Sequence, residues 1–409
     1  MPPVPVPVPV TVDDAVRRLD ALLAVGLRLV RSAPSGRTAL AQLAAVIEPE
    51  WLPQPGGRAL AEELTDASAE ATEPIPFDAV QRVVHDAWGE RPDRELDEFD
   101  PEPVLTTSVA QVHRGVLDGG PVAIKVLRPG LAGLVRQDLA LLETLAAPIA
   151  AAFPAADVGG LLREVRERVL EDLDLESQGQ TQRRFHRALR EHPLFHVPAP
   201  ITRLTHDSVL VSEWVDGTPL AEAPATERDR AAGLLVLFAL GAARWGTAHA
   251  DLQLREVLVL EDGRIAIVDF GASSPAAGDR IGAAAELIEA FIAEEADGVA
   301  AAFSSLGVLP RELAGTATEL ARHALGPFAS TGPVRLDSAA VQGIRDRVLE
   351  RPEAVLSLLG EGRLEPEDLW PARGLGQLFA LIARAGATAP WRELVQLGLR
   401  EGWDARPEG

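Results

Sequence analysis

One folded-back ribbon near the middle of the chain constrains the fold more than any other feature. From His249 to Ser273 the sequence reads HADLQLREVLVLEDGRIAIVDFGAS. Two apolar runs, Val257 to Leu260 and Ile265 to Phe270, flank Glu261-Asp262-Gly263. Glycine takes a positive φ without steric cost, so Asp-Gly between β-branched residues predicts a hairpin. Closing that turn brings Asp251, just before the first strand, and Asp269, at the end of the second, to one end of the ribbon. Two carboxylates at one mouth can hold a divalent cation and orient a hydroxyl, which is what phosphoryl transfer requires. A hairpin with ordinary polar ends fits the same pattern.

Composition bounds what surrounds this ribbon. The 409 residues allow two or three domains, and 47% apolar content is ample for large cores. The absence of cysteine excludes disulfides, thiolate zinc sites and cysteine nucleophiles, and fits a reducing cytosol. A net charge of −22 disfavours nucleic acid and anionic lipid as bulk partners. The start of the chain lacks the basic-then-apolar pattern of a signal peptide. The longest apolar stretches, Ala231 to Ala243 and Leu375 to Ala387, are too short or too interrupted to span a bilayer. The expectation is a cytoplasmic protein without a transmembrane segment, with membrane contact at most peripheral.

In chain order, Met1 to Val10 alternates proline and valine and reads as a tail without a core. Residues 11–98 read as a helical extension, with helices from Thr11 to Leu29, Thr38 to Ile47 and Phe77 to Trp88. Residues 99–216 carry strands around a helical insert, and residues 217–409 are read as helical apart from the ribbon. Within the strand region, Ser108 to Leu117 alternates, Asp118-Gly119-Gly120 turns, and Pro121 to Leu127 returns. That return strand contains Lys125. A lysine in an apolar strand costs free energy unless its ammonium finds an anion, or unless an edge position lets it reach solvent. Helices follow, from Leu134 to Ala152 and from Val158 to Leu170. The acidic run Glu171 to Glu176 reads on its own as a solvated helix start. Val197 to Ile201 and Ser208 to Trp214 read as strands, which leaves Glu213-Trp214 between the strand region and the helical half.

His-x-Asp, hairpin and Asp-Phe-Gly in series match the protein-kinase signature order, and Val122-Ala-Ile-Lys125 matches the strand whose lysine binds phosphates. More specifically, the chain resembles the UbiB/AarF (ADCK-type) atypical kinase family. The phrases that carry the resemblance are Ser108-Val-Ala-Gln-Val-His-Arg114, Val122-Ala-Ile-Lys-Val-Leu-Arg-Pro-Gly130, Val211-Ser-Glu-Trp-Val-Asp-Gly-Thr-Pro-Leu220, His249-Ala-Asp251 and Val268-Asp-Phe-Gly271. It covers Ala39 to Ser273, and more faintly the helices to Leu397.

The resemblance implies an α+β, predominantly helical, two-lobed protein-kinase-like fold whose N-terminal helical extension lies over the active site. It implies ATP and magnesium as cofactors, and ATPase or unorthodox kinase activity tied to isoprenoid lipid and quinone-pathway partners. By the same resemblance Asp251 and Lys125 are catalytic, and Asp269 and Glu256 hold the metal. Lys125, Thr106, Thr107, Ser108, Glu213, Gln178 and Gln42 surround the nucleotide, and Asp172-Leu-Asp174 stands at the family's Glu-x-Asp element. The sequence departs from the family at several of these positions. The Lys-x-Gly-Gln element reads Ala39-Leu-Ala-Gln42, and the alanine-rich nucleotide loop reads Leu105-Thr-Thr-Ser108. The glutamate that pairs with the strand lysine is Gln178. The metal-binding asparagine is Glu256, and Leu252-Gln-Leu-Arg255 replaces Pro-His-Pro-Gly. A neutral amide still hydrogen-bonds an ammonium but lacks the charge that strengthens the pair. These departures set a second reading beside the first, a catalytically impaired pseudokinase that serves as a nucleotide-binding or scaffold module.

Overall fold

The computed structural model describes residues 73–144, 146–147, 150 and 157–407. The Pro/Val tail, most of the expected helical extension and Gln42 lie outside the described residues.

The described chain opens with helix α1 (Phe77–Trp88) and one turn, α2 (Pro92–Glu95). Strands β1 (Glu98–Thr106), β2 (Ala110–Leu117) and β3 (Gly120–Leu127) follow as a meander. With β5 (Val209–Glu213) they form a four-stranded antiparallel sheet in the order β1-β2-β3-β5. Lys125 therefore lies on a central strand, paired with Val112 on one side and Leu210 on the other, so the edge-strand explanation for it is gone. Side chains alternate across a strand. Val122, Ile124 and Val126 pack with Val80 and Val84 of α1 and with Val209 and Val211, and Lys125 takes the opposite face.

Helices α3 (Leu131–Glu143), α4 (Val158–Glu171) and α5 (Leu175–Ala188) lie between β3 and the next strands. The acidic run divides at α5. Asp174 caps the helix by accepting from the N–H groups of Glu176 and Ser177, the expected role of such a residue at a helix start. Asp172 instead turns inward.

A second small sheet carries the ribbon. Strands β8 (Val257–Val259) and β9 (Ile265–Ile267) pair antiparallel, with β4 (Phe195–His196) and β6 (Thr218–Pro219) outside them, in the order β4-β9-β8-β6. Gly263 takes the turn at φ 81°. The second strand ends earlier than expected, because beyond Val268 the chain turns to place Asp269. The strand expected over Val197 to Ile201 is replaced by β4 and a single bridge from Pro200 to Ser212. Pro198 and Pro200 have no N–H to give a ladder.

The largest core surrounds α6 (Ala225–Arg244), which is buried from Ala231 to Phe238 and again near Ala242. Phe185, Phe195, Ile265, Ile267 and Phe270 pack on it from the sheet side, and Leu381 and Leu394 from the C-terminal helices. Strand β7 (Thr247–His249) leaves α6 and pairs with β10 (Ser273–Pro275), just past the Asp-Phe-Gly turn. The chain continues through α7 (Gly278–Ala293), α8 (Ala296–Leu306), α9 (Ala314–Leu325), β11 (Val334–Leu336), α10 (Ser338–Leu349), α11 (Pro352–Glu361), α12 (Leu369–Ala385), β12 (Ala387–Ala389) and α13 (Trp391–Glu401). This half is not wholly helical, since β11 and β12 pair with each other. The architecture is two-lobed, predominantly helical and kinase-like, with small sheets. Among the described residues no helix is long and apolar enough to cross a membrane.

Candidate functional site

Three elements converge on the ammonium of Lys125. It donates to Asp269 Oδ2 at 2.7 Å, from the turn after β9, and to Gln178 Oε1 at 3.1 Å, from α5. The Gln178 amide NH2 donates to the Asp172 carbonyl at 2.7 Å, which aims its oxygen at the lysine. Asp269 Oδ1 accepts the Gly271 N–H at 2.9 Å. The Lys125 and Asp269 side chains are 15% and 22% exposed, so the pair is screened only in part.

His249 ties the two ends of the ribbon together. Its Nε2 lies 2.8 Å from the Asp269 carbonyl, which can only accept, so Nε2 carries the proton. Nδ1 is then free to accept from the Asp251 N–H, at 3.5 Å. Burial pulls the His249 pKa below its usual value and keeps the ring neutral, as this pattern requires. The first residue of His-x-Asp thus sets the spacing of the two acids.

The electrostatics are those of several acids sharing little positive charge. Burial lowers the Lys125 pKa, but attraction to Asp269 outweighs it and the net shift is upward. Burial likewise works against the Asp269 carboxylate, and the lysine outweighs it, holding that carboxyl below its usual range. Asp172 has no cation of its own; burial and then Asp251 push it up to about 6 against the pull of the Ala272 N–H. Glu256, only 4% exposed, is driven well above the ordinary carboxylate range by burial, with Asp269 and Asp251 adding to the effect. Its nearest cation is Arg255, at 3.6 Å.

Sequence reasoning missed Arg373. Helix α12 brings it to the mouth, where its Nη2 lies 3.4 Å from Asp251 Oδ1 and its side chain is 8% exposed. The guanidinium lies over Trp370 at 5.3 Å. The close approach depends on Gly374, where a Cβ would come within 2.7 Å of the His249 carbonyl. At the head of the helix Arg280 pairs with Asp368, which anchors α12 to α7. The only local signal was a glycine interrupting an apolar helix, and that does not say what the neighbouring arginine touches.

The other candidate residues lie elsewhere. Thr106 ends β1. Thr107 closes the β1–β2 turn: its hydroxyl accepts from the Val109 and Ala110 N–H groups at 3.2 and 3.0 Å and donates to the Ala110 carbonyl. Ser108 sits within that turn. The Glu213 carboxylate, at the end of β5, faces His196 and the Ala199 N–H, and both hold its pKa below the usual range, His196 more strongly. Neither Thr107 nor Glu213 is hydrogen-bonded to Lys125. Among the described residues no group of three or more His, Asp or Glu is arranged as a metal site.

A family model described as the ABC1 atypical kinase-like domain matches residues 68–303. An uncharacterized chloroplastic aarF domain-containing protein kinase of Arabidopsis thaliana is 29% identical over 261 residues, 60% of this chain and 48% of that protein. The probable protein kinase UbiB of Marinobacter nauticus is 31% identical over 162 residues, 38% of this chain and 29% of that protein. The chain thus spans about half or less of the length of these relatives. Among solved structures, the complex of Rv3197 with erythromycin from Mycobacterium tuberculosis superposes with a TM-score of 0.65 at 23% identity, covering 97% of this chain and 100% of that one. That likeness speaks for the fold alone.

Proposed function

This chain belongs to the ABC1 atypical kinase-like family, and from that premise we propose that it binds ATP with magnesium at the Lys125 mouth and transfers or hydrolyses the terminal phosphoryl group. The observation that carries the reading is the Lys125 ammonium itself. It sits on a central strand, 2.7 Å from Asp269 and 3.1 Å from Gln178, where triphosphate oxygens would meet a desolvated positive charge.

Each residue then has a task. Lys125 holds phosphate oxygens while Gln178 fixes its direction. Asp251 orients the attacking hydroxyl or water and accepts its proton, and Arg373 with the His249 ring keeps that carboxylate in place. Asp269 and Glu256 suit a shared divalent cation, because a buried glutamate whose neighbours oppose its charge is relieved by one. Magnesium takes one or two carboxylates together with phosphate oxygens, so two protein donors suffice, and when bound it neutralises the phosphate charge. Thr107 and Ser108 shape the turn above the phosphates, and Glu213 marks the junction between lobes. The resemblance to UbiB suggests isoprenoid-quinone lipid metabolism as the setting and peripheral membrane contact as the mode.

A nucleotide-binding module without turnover is the second reading. Glu256 favours it, since a carboxyl group whose pKa burial and the neighbouring acids raise gives up its proton to a metal less readily. Thermal melting with and without magnesium and ATP, alongside ADP release, separates the two. A magnesium-dependent rise in Tm, with ADP release that Asp269→Asn abolishes, supports the enzyme. A rise without release supports the binding module. No rise in Tm refutes the nucleotide site.

A further inference from the structure

The turn between β1 and β2 is gripped from outside by one residue. In a four-residue turn the first carbonyl commonly accepts the fourth N–H. Here the Thr107 hydroxyl takes the Ala110 N–H at 3.0 Å and the Val109 N–H at 3.2 Å, so the Thr107 carbonyl is left over. It accepts instead from Arg128 Nε at 2.9 Å. The Arg128 N–H donates to the Val109 carbonyl, also at 2.9 Å, so side chain and backbone hold the turn together. The Thr107 N–H is taken by the Ala110 carbonyl at 2.8 Å. Of the four turn amides, that of Ser108 alone has no partner among the described residues.

The same guanidinium reaches a third segment. Its Nη2 donates to the Glu73 carbonyl at 2.6 Å, four residues before α1. Two residues on, the Ile75 N–H donates to Gln111 Oε1 at 2.9 Å. Gln111 follows the turn on β2 and is fully buried, so this second tie is anchored in the sheet. Residues 73–75 are thus fastened at two points to the turn and to the strand that leaves it. Among the described residues Arg128 pairs with no carboxylate, and burial alone shifts its pKa, downward. A guanidinium carries its donors in a rigid fork. Here the fork spans two main-chain carbonyls from segments far apart in sequence, and a single-point donor could not replace it.

We propose that Arg128 is a positioning residue for phosphate binding: it fixes the β1–β2 turn against the segment that enters α1, and so keeps the Ser108 N–H as the turn's donor to a nucleotide phosphate. This rests on the nucleotide reading above, in which the turn covers the phosphates, because an unpaired backbone N–H in a fixed turn is a phosphate donor. The turn and residues 73–75 then share one set of hydrogen bonds. Whatever displaces the entering segment loosens the turn, and a bound nucleotide tightens both, since coupling between two places is reciprocal.

Calorimetric titration of the full chain with magnesium-ATP, together with hydrogen exchange, tests this. Arg128→Gln should weaken magnesium-ATP about tenfold. It should also speed exchange of the Ile75, Val109 and Ala110 amides while leaving β5 and α6 unchanged. Arg128→Lys keeps the charge without the fork and should stay well short of wild-type affinity. Thr107→Val removes the hydroxyl that frees the carbonyl for Arg128, so its loss should not add to that of Arg128→Gln. Wild-type affinity in Arg128→Lys overturns the proposal, because charge alone would then explain the residue. Faster exchange in β5 and α6 as well overturns it, because the defect would be one of folding. Wild-type affinity in Arg128→Gln refutes the proposal alone, whereas a wild-type chain that does not bind magnesium-ATP refutes the nucleotide reading and the proposal with it.

Discussion

Removing the lysine should cost more stability than removing its partner. Lys125→Met deletes the ammonium and leaves Asp269 buried without its cation, beside Asp172 and Glu256. Breaking a buried ion pair in this way costs ~3–5 kcal/mol. Asp269→Asn loses a charged hydrogen bond, worth roughly 1.5–3 kcal/mol, but it also removes a negative charge that raises both Asp172 and Glu256. The lysine keeps Gln178 and the attraction of Glu256 and Asp172. The net cost of Asp269→Asn should therefore be only about 1–2 kcal/mol, roughly half or less of the other. Urea unfolding of the two variants and the wild type, at neutral pH and with unchanged m-values, gives both numbers. If Asp269→Asn costs as much as Lys125→Met or more, the acids do not converge on one cation, and the mouth described above is wrong.

Other outcomes follow from the same geometry. The folded Asp172 carboxyl titrates near 6 instead of 3.8, so its favourable contribution is complete below about pH 4 and lost as pH rises through 6, roughly 3 kcal/mol over that window. Asp172→Asn should flatten the fall in urea-unfolding free energy between pH 4 and 6, and an unchanged slope would refute the assignment. Arg373→Gln should lower ADP release about a hundredfold by loosening Asp251. Arg373→Lys should recover part of that loss, and an equal loss in both would mean packing, not charge, is what matters. Gly374→Ala should destabilise by about 1–3 kcal/mol in thermal melting, because the new Cβ meets the His249 carbonyl. An unchanged Tm would mean that α12 is free to move.

Much of the fold was legible because local chemistry and tertiary fold agree. Helix α1 begins after a proline and ends before a glycine, and its observed span, Phe77–Trp88, is the span its periodicity predicts. The ribbon was legible for the same reason: Asp262-Gly263 admits few alternatives. What the sequence concealed was decided by packing between distant segments. Asp172 and Asp174 sit in one acidic run and look alike, yet Asp174 caps a helix while Asp172 is drawn in by the turn before β10, through the Ala272 N–H. Arg373 reaches Asp251 only because a glycine far from the ribbon in sequence lets a helix approach the His249 backbone. The β11–β12 pair is likewise formed by two short runs that mean little apart.

The two substitutions that suggest degeneration can be read together. Against the pattern that the family resemblance implies, Gln178 gives up a carboxyl group beside Lys125 and Glu256 brings one in, so the number of carboxyl groups at the mouth is unchanged. Gln178 keeps its hydrogen bond to the ammonium, and Glu256 is among the acids that raise the lysine's pKa. A site drifting without function has no reason to conserve that sum. Made together, the two reverse changes must not add. Gln178→Glu alone brings another carboxylate next to Asp172 and Asp269 and should weaken the magnesium-ATP rise in Tm, by about tenfold in apparent affinity. Glu256→Asn alone removes a candidate metal donor and should weaken it similarly. The double variant restores the family arrangement and should bind within a few-fold of the wild type. Strictly additive losses would show that the two positions are independent, and would remove the unchanged carboxyl count as a reason to prefer the enzyme over the binding module.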